Sequence, residues 1–218
     1  MFVNAYFING TACAGKSTLA ALLAEKHGGI LCGENYHEAK LPGLDKERFP
    51  NLCYTRDLAD WHDFIRRTPE EYAAWVRGVT LECEKVELEI LRELDGQGQM
   101  IFVDTNISVE TLRRVAKPGH VLLMLADPEI SVRRFFDRPD PEKQFLYRLM
   151  LEEPDPSAAL ANFRECLRRV NSREAYDAFL HSGFPVLKRD ENRSKEETLT
   201  LAETIFGLTE AGEARKEE

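Results

Sequence analysis

The chain has 218 residues, 43% of them hydrophobic and 31% charged, enough for one globular domain over residues 1–210 with a sizeable core and a helical insertion. Its 29 basic and 38 acidic side chains leave a net charge of −9, which argues against a nucleic-acid polymer as partner. No apolar run approaches the roughly 18 residues of a membrane span, and nothing at the start reads as a secretory leader. The expectation is a cytoplasmic monomer or homodimer with no membrane contact.

Residues 3–9 read as a short buried strand that runs into Gly10-Thr11-Ala12-Cys13-Ala14-Gly15-Lys16-Ser17. This octet matches G-x-x-x-x-G-K-[ST] at every fixed position. Residues 17–26 are rich in strong helix formers and stop at Gly28-Gly29. Strand, glycine loop and helix form the context that this motif's chemistry requires. Backbone N–H groups and the positive end of the helix dipole converge on one small volume, where a phosphate chain satisfies them. Gly10, Ala12, Cys13, Ala14, Gly15, Lys16, Ser17 and Thr18 are the candidate nucleotide contacts. Lys16 reaches the β and γ phosphates in this arrangement, and the Ser17 hydroxyl ligates Mg²⁺. The five cysteines are scattered, odd in number and without a C-x-x-C pair, which argues against a disulfide framework or a zinc site.

Residues 30–32 are a second apolar strand, followed by the polar cluster Gly33-Glu34-Asn35-Tyr36-His37-Glu38. Ligands of parallel sheets sit outside the carboxyl ends of the strands, so Glu34 is expected beside the glycine loop. His37 with Glu34 and Glu38 reads as a solvated loop rather than a metal site, since no second histidine stands at ligand spacing. Residues 41–56 read as irregular and 57–67 as a helix. Thr68-Pro69-Glu70-Glu71 then opens a long helix through a capping box, with apolar residues at helical spacing until Gly96. Residues 35–80 are expected to project past the sheet as one wall of an acceptor pocket. Trp61, Tyr72 and Trp75 read as core rather than ligand contacts.

Residues 100–103 form a buried strand ending in Asp104, a carboxylate poised to meet Mg²⁺ or its water shell. A short helix over 108–116 and a strand over 121–126 come next. Arg133, Arg134 and Arg138 then make a local basic cluster in an acidic chain, with Arg134 and Arg138 one turn apart. Breaks at Pro139-Asp140-Pro141 and Pro154-Asp155-Pro156 precede a helix expected over 157–181 that carries Arg164, Arg168 and Arg169. Residues 133–170 therefore read as an arginine-lined lid over phosphates. For Arg168 and Arg169 a solvated face with ion pairs to Glu165 and Glu174 is the competing reading. A last strand over 185–187, a closing helix over 194–206 and a polar tail over 211–218 complete the chain.

Apolar strands alternating with helices specify a parallel sheet covered on both faces. The arrangement resembles the nucleoside monophosphate kinase-like superfamily of small-molecule kinases, which includes nucleotide, nucleoside, shikimate and gluconate kinases and chloramphenicol phosphotransferase. The resemblance covers most of the chain and rests on residues 10–18, Glu34, Asp104 and the Arg134/Arg138 pair. It implies an α/β, three-layer P-loop NTPase fold of about five parallel strands, with ATP and Mg²⁺ as cofactors and a small-molecule phosphoryl acceptor. It further implies that Lys16, Arg134 and Arg138 neutralise the transferring group, that Glu34 holds the acceptor hydroxyl, and that Ser17 and Asp104 serve the metal. Many relatives carry Asp-x-Asp where this chain has Glu34-Asn35-Tyr36, and the Glu-Arg-Ser element of nucleoside kinases is replaced by Asp104-Thr105-Asn106, so the acceptor stays open. No N-K-x-D element is present, which favours ATP over GTP. The competing classes are an ATPase or switch, for which Asn106 is the available water-positioning residue, a nucleotide sensor without chemistry, and a toxin-like sugar-nucleotide kinase.

Overall fold

The computed structural model describes residues 1–137 and 140–209. The elements in chain order are β1 (Ala5–Gly10), α1 (Lys16–His27), β2 (Ile30–Cys32), a 3₁₀ helix (Tyr36–Gly43), α2 (Pro50–Arg56), α3 (His62–Ile65) and α4 (Pro69–Asp95). Then come β3 (Ile101–Asp104), α5 (Val109–Val115), β4 (Val121–Leu125), α6 (Pro128–Arg134), α7 (Pro141–Glu152), α8 (Pro156–Val170), α9 (Arg173–Leu180), β5 (Val186–Lys188) and α10 (Lys195–Phe206). The strands form one all-parallel sheet in the order β2-β3-β1-β4-β5. Among the described residues no helix is long and apolar enough to cross a membrane.

The continuous apolar runs of the strands result from burial on both faces. Tyr6, Ile8, Phe102, Leu122 and Met124 face α1 and α10, where Leu19, Leu23, Ala202 and Phe206 meet them. The alternate residues Phe7, Ile101, Val103, Val121 and Leu123 face the other way, onto Leu91 of α4 and Leu112 of α5, with Phe179 of α9 alongside. A third cluster gathers Phe64, Tyr72, Val132, Met150, Phe163 and Leu167 from α3, α4, α6, α7 and α8.

α4 joins these cores. At about 1.5 Å per residue it is roughly 40 Å long, and its ends belong to different clusters. Leu91 packs under the sheet and Tyr72 in the third cluster, with Trp75 and Trp61 half-buried around it. The capping box is present: Glu71 N–H donates to Thr68 Oγ1 at 3.2 Å, and Thr68 N–H donates to Glu71 Oε2 at 2.8 Å.

Three stretches differ from the sequence expectation. Residues 41–56 contain α2, whose first N–H groups have no local cap. Glu82 of α4 takes that place, accepting from Asn51 N at 3.0 Å and Leu52 N at 2.8 Å, a partner 30 residues away that local patterns do not reveal. The helix expected over 57–67 shrinks to the single turn α3, preceded by a turn in which Asp60 Oδ1 accepts from His62 N. The helix expected over 157–181 is split into α8 and α9. Asn171 Nδ2 donates to Leu167 O at 2.9 Å and closes α8, while Ser172 Oγ accepts from Ala175 N at 3.2 Å and opens α9. The tail over 211–218 lies outside the described residues.

At the end of β1 the backbone leaves no room for a side chain. Gly10 has φ 128°, and a Cβ there would lie 2.0 Å from the carbonyl oxygen of Met124 on β4. Gly10→Ala is therefore expected to lower the unfolding free energy by about 3 kcal/mol or more, since it combines backbone strain with a clash that no rotamer relieves. Urea denaturation of the two proteins checks this. A loss below about 1 kcal/mol would mean that β1 and β4 separate at little cost.

Candidate functional site

The loop over residues 10–17 leaves the central strand and is tied to segments beyond the other strands of the sheet. Asn9, at the end of β1, donates from Nδ2 to Ile107 O beyond β3 at 2.7 Å, and its Oδ1 accepts from Gly10 N. Thr11 N donates to Met124 O at 3.0 Å. The Thr11 hydroxyl donates to Ala126 O at 3.1 Å and accepts from Ala126 N at 2.6 Å, beyond β4. Ser131 of α6 donates to Ala12 O at 3.2 Å, and Arg189, just after β5, donates to Cys13 O. Gly15 is the N-cap of α1 with φ 97° and offers no side-chain cap, so the first N–H groups of that helix have no capping side chain.

Lys16 Nζ donates to Thr11 O at 3.2 Å, so its ammonium is folded over the loop. Ser17 Oγ donates to Asp104 Oδ2 at 2.6 Å. Asp104 is only 4% exposed. Burial pushes its carboxyl above the ordinary range, the Lys16 charge and the Ser17 hydrogen bond oppose this, and the charges of Glu34 and Glu87 add to it.

A cavity of about 950 Å³ opens over the loop. Every residue from Gly10 to Thr18 lines it, together with Glu34, Asn106, Arg134, Asp137 and Arg189. A second cavity of about 500 Å³ adjoins Gly15, Thr18, Leu19 and Leu22 on one side and the segment from Lys188 to Lys195 on the other. Arg134 and Arg189 line both. Arg134 also pairs with Glu191 at 3.5 Å. Arg138 lies outside the described residues. Arg168 and Arg169 line neither cavity. They are exposed, Arg168 between Glu165 at 3.3 Å and Glu129 at 3.8 Å, Arg169 facing Glu70 at 3.7 Å.

Behind Glu34 lies a buried network that corrects the expectation of a solvated loop at His37. His37 is 7% and Glu87 1% exposed. Glu87 accepts from the Thr105 hydroxyl at 2.6 Å and meets His37 Nδ1 at 3.2 Å, while His37 Nε2 meets Cys83 Sγ at 3.3 Å. Burial and the Glu87 charge push the Cys83 thiol up to about 12 and the Cys32 thiol up to about 11. Both ring nitrogens of His37 are thus engaged, and no group of three or more metal-ligating side chains is found among the described residues. The network fixes the segment after β2, which carries Glu34, against Thr105, the residue that follows Asp104 at the end of β3.

The site thus joins the loop, Ser17, Asp104, Glu34 and Arg134 in one region. Sequence reasoning missed Asn9, Thr11, Ser131 and Arg189. Asn9 and Thr11 flank the first glycine of the motif, and Arg189 directly succeeds the last strand, so position along the chain was the available signal. No protein-family model matches the chain, and no curated protein matches it significantly.

The raised carboxyl of Asp104 sets a pH dependence in the absence of ligand. A folded-state pKa above the unfolded value stabilises the fold at low pH, and that contribution is lost as pH rises through the folded value. Asp104→Asn keeps the shape and removes the charge. It is expected to be more stable than the parent at pH 7 by about 1 kcal/mol, with the difference closing as pH falls below the ordinary carboxylate range. Thermal unfolding from pH 3.5 to 8 checks this, and a substituted protein less stable at pH 7 would refute it.

Proposed function

We propose that this protein is an ATP-dependent small-molecule kinase that moves the γ-phosphoryl group of Mg·ATP to a small acceptor. The observation that carries the reading is the contact of the Ser17 hydroxyl with the Asp104 carboxylate at 2.6 Å, beneath a glycine loop whose cavity also holds Glu34. A hydroxyl and a carboxylate are the hard oxygen donors that Mg²⁺ prefers, so the residues present fit that ion, with Ser17 and Asp104 as its protein partners. Bound there, Mg²⁺ neutralises charge on the phosphate oxygens.

The remaining roles fall to the chain's own groups. The N–H groups of the loop and of the first turn of α1 bind phosphate oxygens, and Gly10 and Gly15 keep that surface free of side chains. Lys16, now resting on Thr11 O, exchanges that contact for a phosphate oxygen. Arg134 and Arg189, which border both cavities, neutralise the phosphates from the opposite side, with Arg138 as the further lid arginine. The second cavity, apolar along Leu19 and Leu22, accommodates the nucleoside. Glu34 orients the acceptor and takes its proton as the phosphoryl group transfers. A nucleotide-hydrolysing switch is the second reading, and Asn106 in the cavity wall is the observation in its favour.

ADP release from Mg·ATP across a panel of alcohols, nucleosides, nucleotides, sugars and hydroxy acids tests the proposal. One acceptor class is expected to stimulate release. Lys16→Ala should lower the stimulated rate by about 10²-fold or more, and Glu34→Gln by about 10²- to 10⁴-fold without weakening ATP binding. Release that no acceptor stimulates and that survives Glu34→Gln would favour the switch.

A further inference from the structure

The charges around the larger cavity narrow the acceptor, on the kinase reading above. Its cations among the described residues are Lys16, Arg134 and Arg189. All three belong to the loop or its border. Lys16 and Arg189 donate to loop carbonyls, while Arg134 and Arg189 also face the second cavity.

The rest of the wall has a different character. Val76 and Thr80 come from α4, Asn171 and Ser172 from the break between α8 and α9, and Ala175 and Phe179 from α9. This wall offers an apolar face beside neutral polar groups. Ser172 Oγ accepts from Ala175 N and so retains its own O–H. The acidic residues lining the cavity are Glu34 and Asp137. Arg173, the basic residue of α9, does not line the cavity; it stacks 4.5 Å over the ring of Tyr176, a lining residue, and is paired with Asp177 at 3.1 Å.

Among the described residues, a phosphate or carboxylate on the acceptor would therefore share the cavity with Glu34 and Asp137, while Lys16 and Arg189 donate to loop carbonyls and Arg134 is paired with Glu191. We infer that the acceptor is a hydroxyl compound bearing neither phosphate nor carboxylate, neutral or amine-substituted, with one apolar face seated on Val76, Ala175 and Phe179. The bond formed joins the acceptor oxygen to the γ-phosphorus, the bond broken is that to the β–γ bridging oxygen, and the acceptor proton passes to Glu34. The transfer is to a hydroxyl and not to an existing phosphate.

The test is ADP release from Mg·ATP with matched pairs of acceptors: nucleosides against their monophosphates, sugars and amino sugars against sugar phosphates and sugar acids. A neutral or amino member is expected to stimulate release at least tenfold, and its anionic counterpart less than twofold. Ala175→Leu, which fills the apolar face, should raise the KM for that acceptor tenfold while the KM for ATP stays put. Where that variant does not fold, Thr80→Val, of the same shape, should raise the acceptor KM alone. An anionic member that matches or exceeds its uncharged counterpart overturns the acceptor class and leaves the kinase reading standing. A panel in which no member of either half stimulates release overturns both.

Discussion

The site depends on how tightly the end of β1 is held between its neighbours. Gly10 lies against the Met124 carbonyl with no room for a Cβ, and Ile8 is in register with Asp104 on the other side. This fixes the point where the chain leaves the sheet, and the glycine loop is then tied down from segments beyond β3, β4 and β5. The ties to Ile107 O and Ala126 O satisfy carbonyls of buried residues, so the loop is stabilised by the same hydrogen bonds that shape it. The Ser17–Asp104 contact is a consequence of this geometry. With α1 starting at Lys16 and β3 ending at Asp104, the two side chains meet across the sheet edge.

The segments around Glu34 are organised by glutamates of α4. Glu82 caps α2, Glu87 binds Thr105 and His37, and Glu84 accepts from Ser108 N at 2.8 Å and from the Thr111 hydroxyl. A carboxylate accepting two or three hydrogen bonds offsets part of its desolvation and holds flexible segments in one geometry. One rigid rod thus sets the positions of α2, of the segment after β2 and of the segment after β3. The segment after β2 carries Glu34 and the segment after β3 directly follows Asp104, so α4 adds to the sheet in setting the spacing of these two side chains.

This division explains what was legible in the sequence. The five strands, α1, the capping box of α4 and the closing helix rest on local patterns, and their positions agree with expectation to within a residue or two. The glycine loop, Glu34 and Asp104 were readable because a parallel sheet sends every strand's carboxyl end to the same edge. The features that escaped depend on distant partners. Glu82 and Glu87 look like members of a solvated charged face until the residues 30 and 18 positions away that they bind are known. His37 looked like a loop residue because its partners, Glu87 and Cys83, sit on another element. The break at Asn171-Ser172 did have a local signal, a serine able to cap, but helical spacing on both sides concealed it.

The departures from local rules converge on the same place as the motif. Among the described residues, the non-glycine residues with positive φ are Cys13, at 61°, and Asn35, at 64°. One lies in the loop after β1 and the other directly succeeds Glu34. Asp104 adds a buried carboxylate whose charge the surroundings resist, and Glu34 contributes to that resistance from across the cavity. Strain of this kind persists only where the surrounding structure over-determines it. The hydrogen bonds to Cys13 O and Ala12 O and the capture of Tyr36 and His37 beside Glu87 are what over-determine it here. Backbone strain, buried charge and sequence motif are independent observations, and all three select the carboxyl edge of β1, β2 and β3.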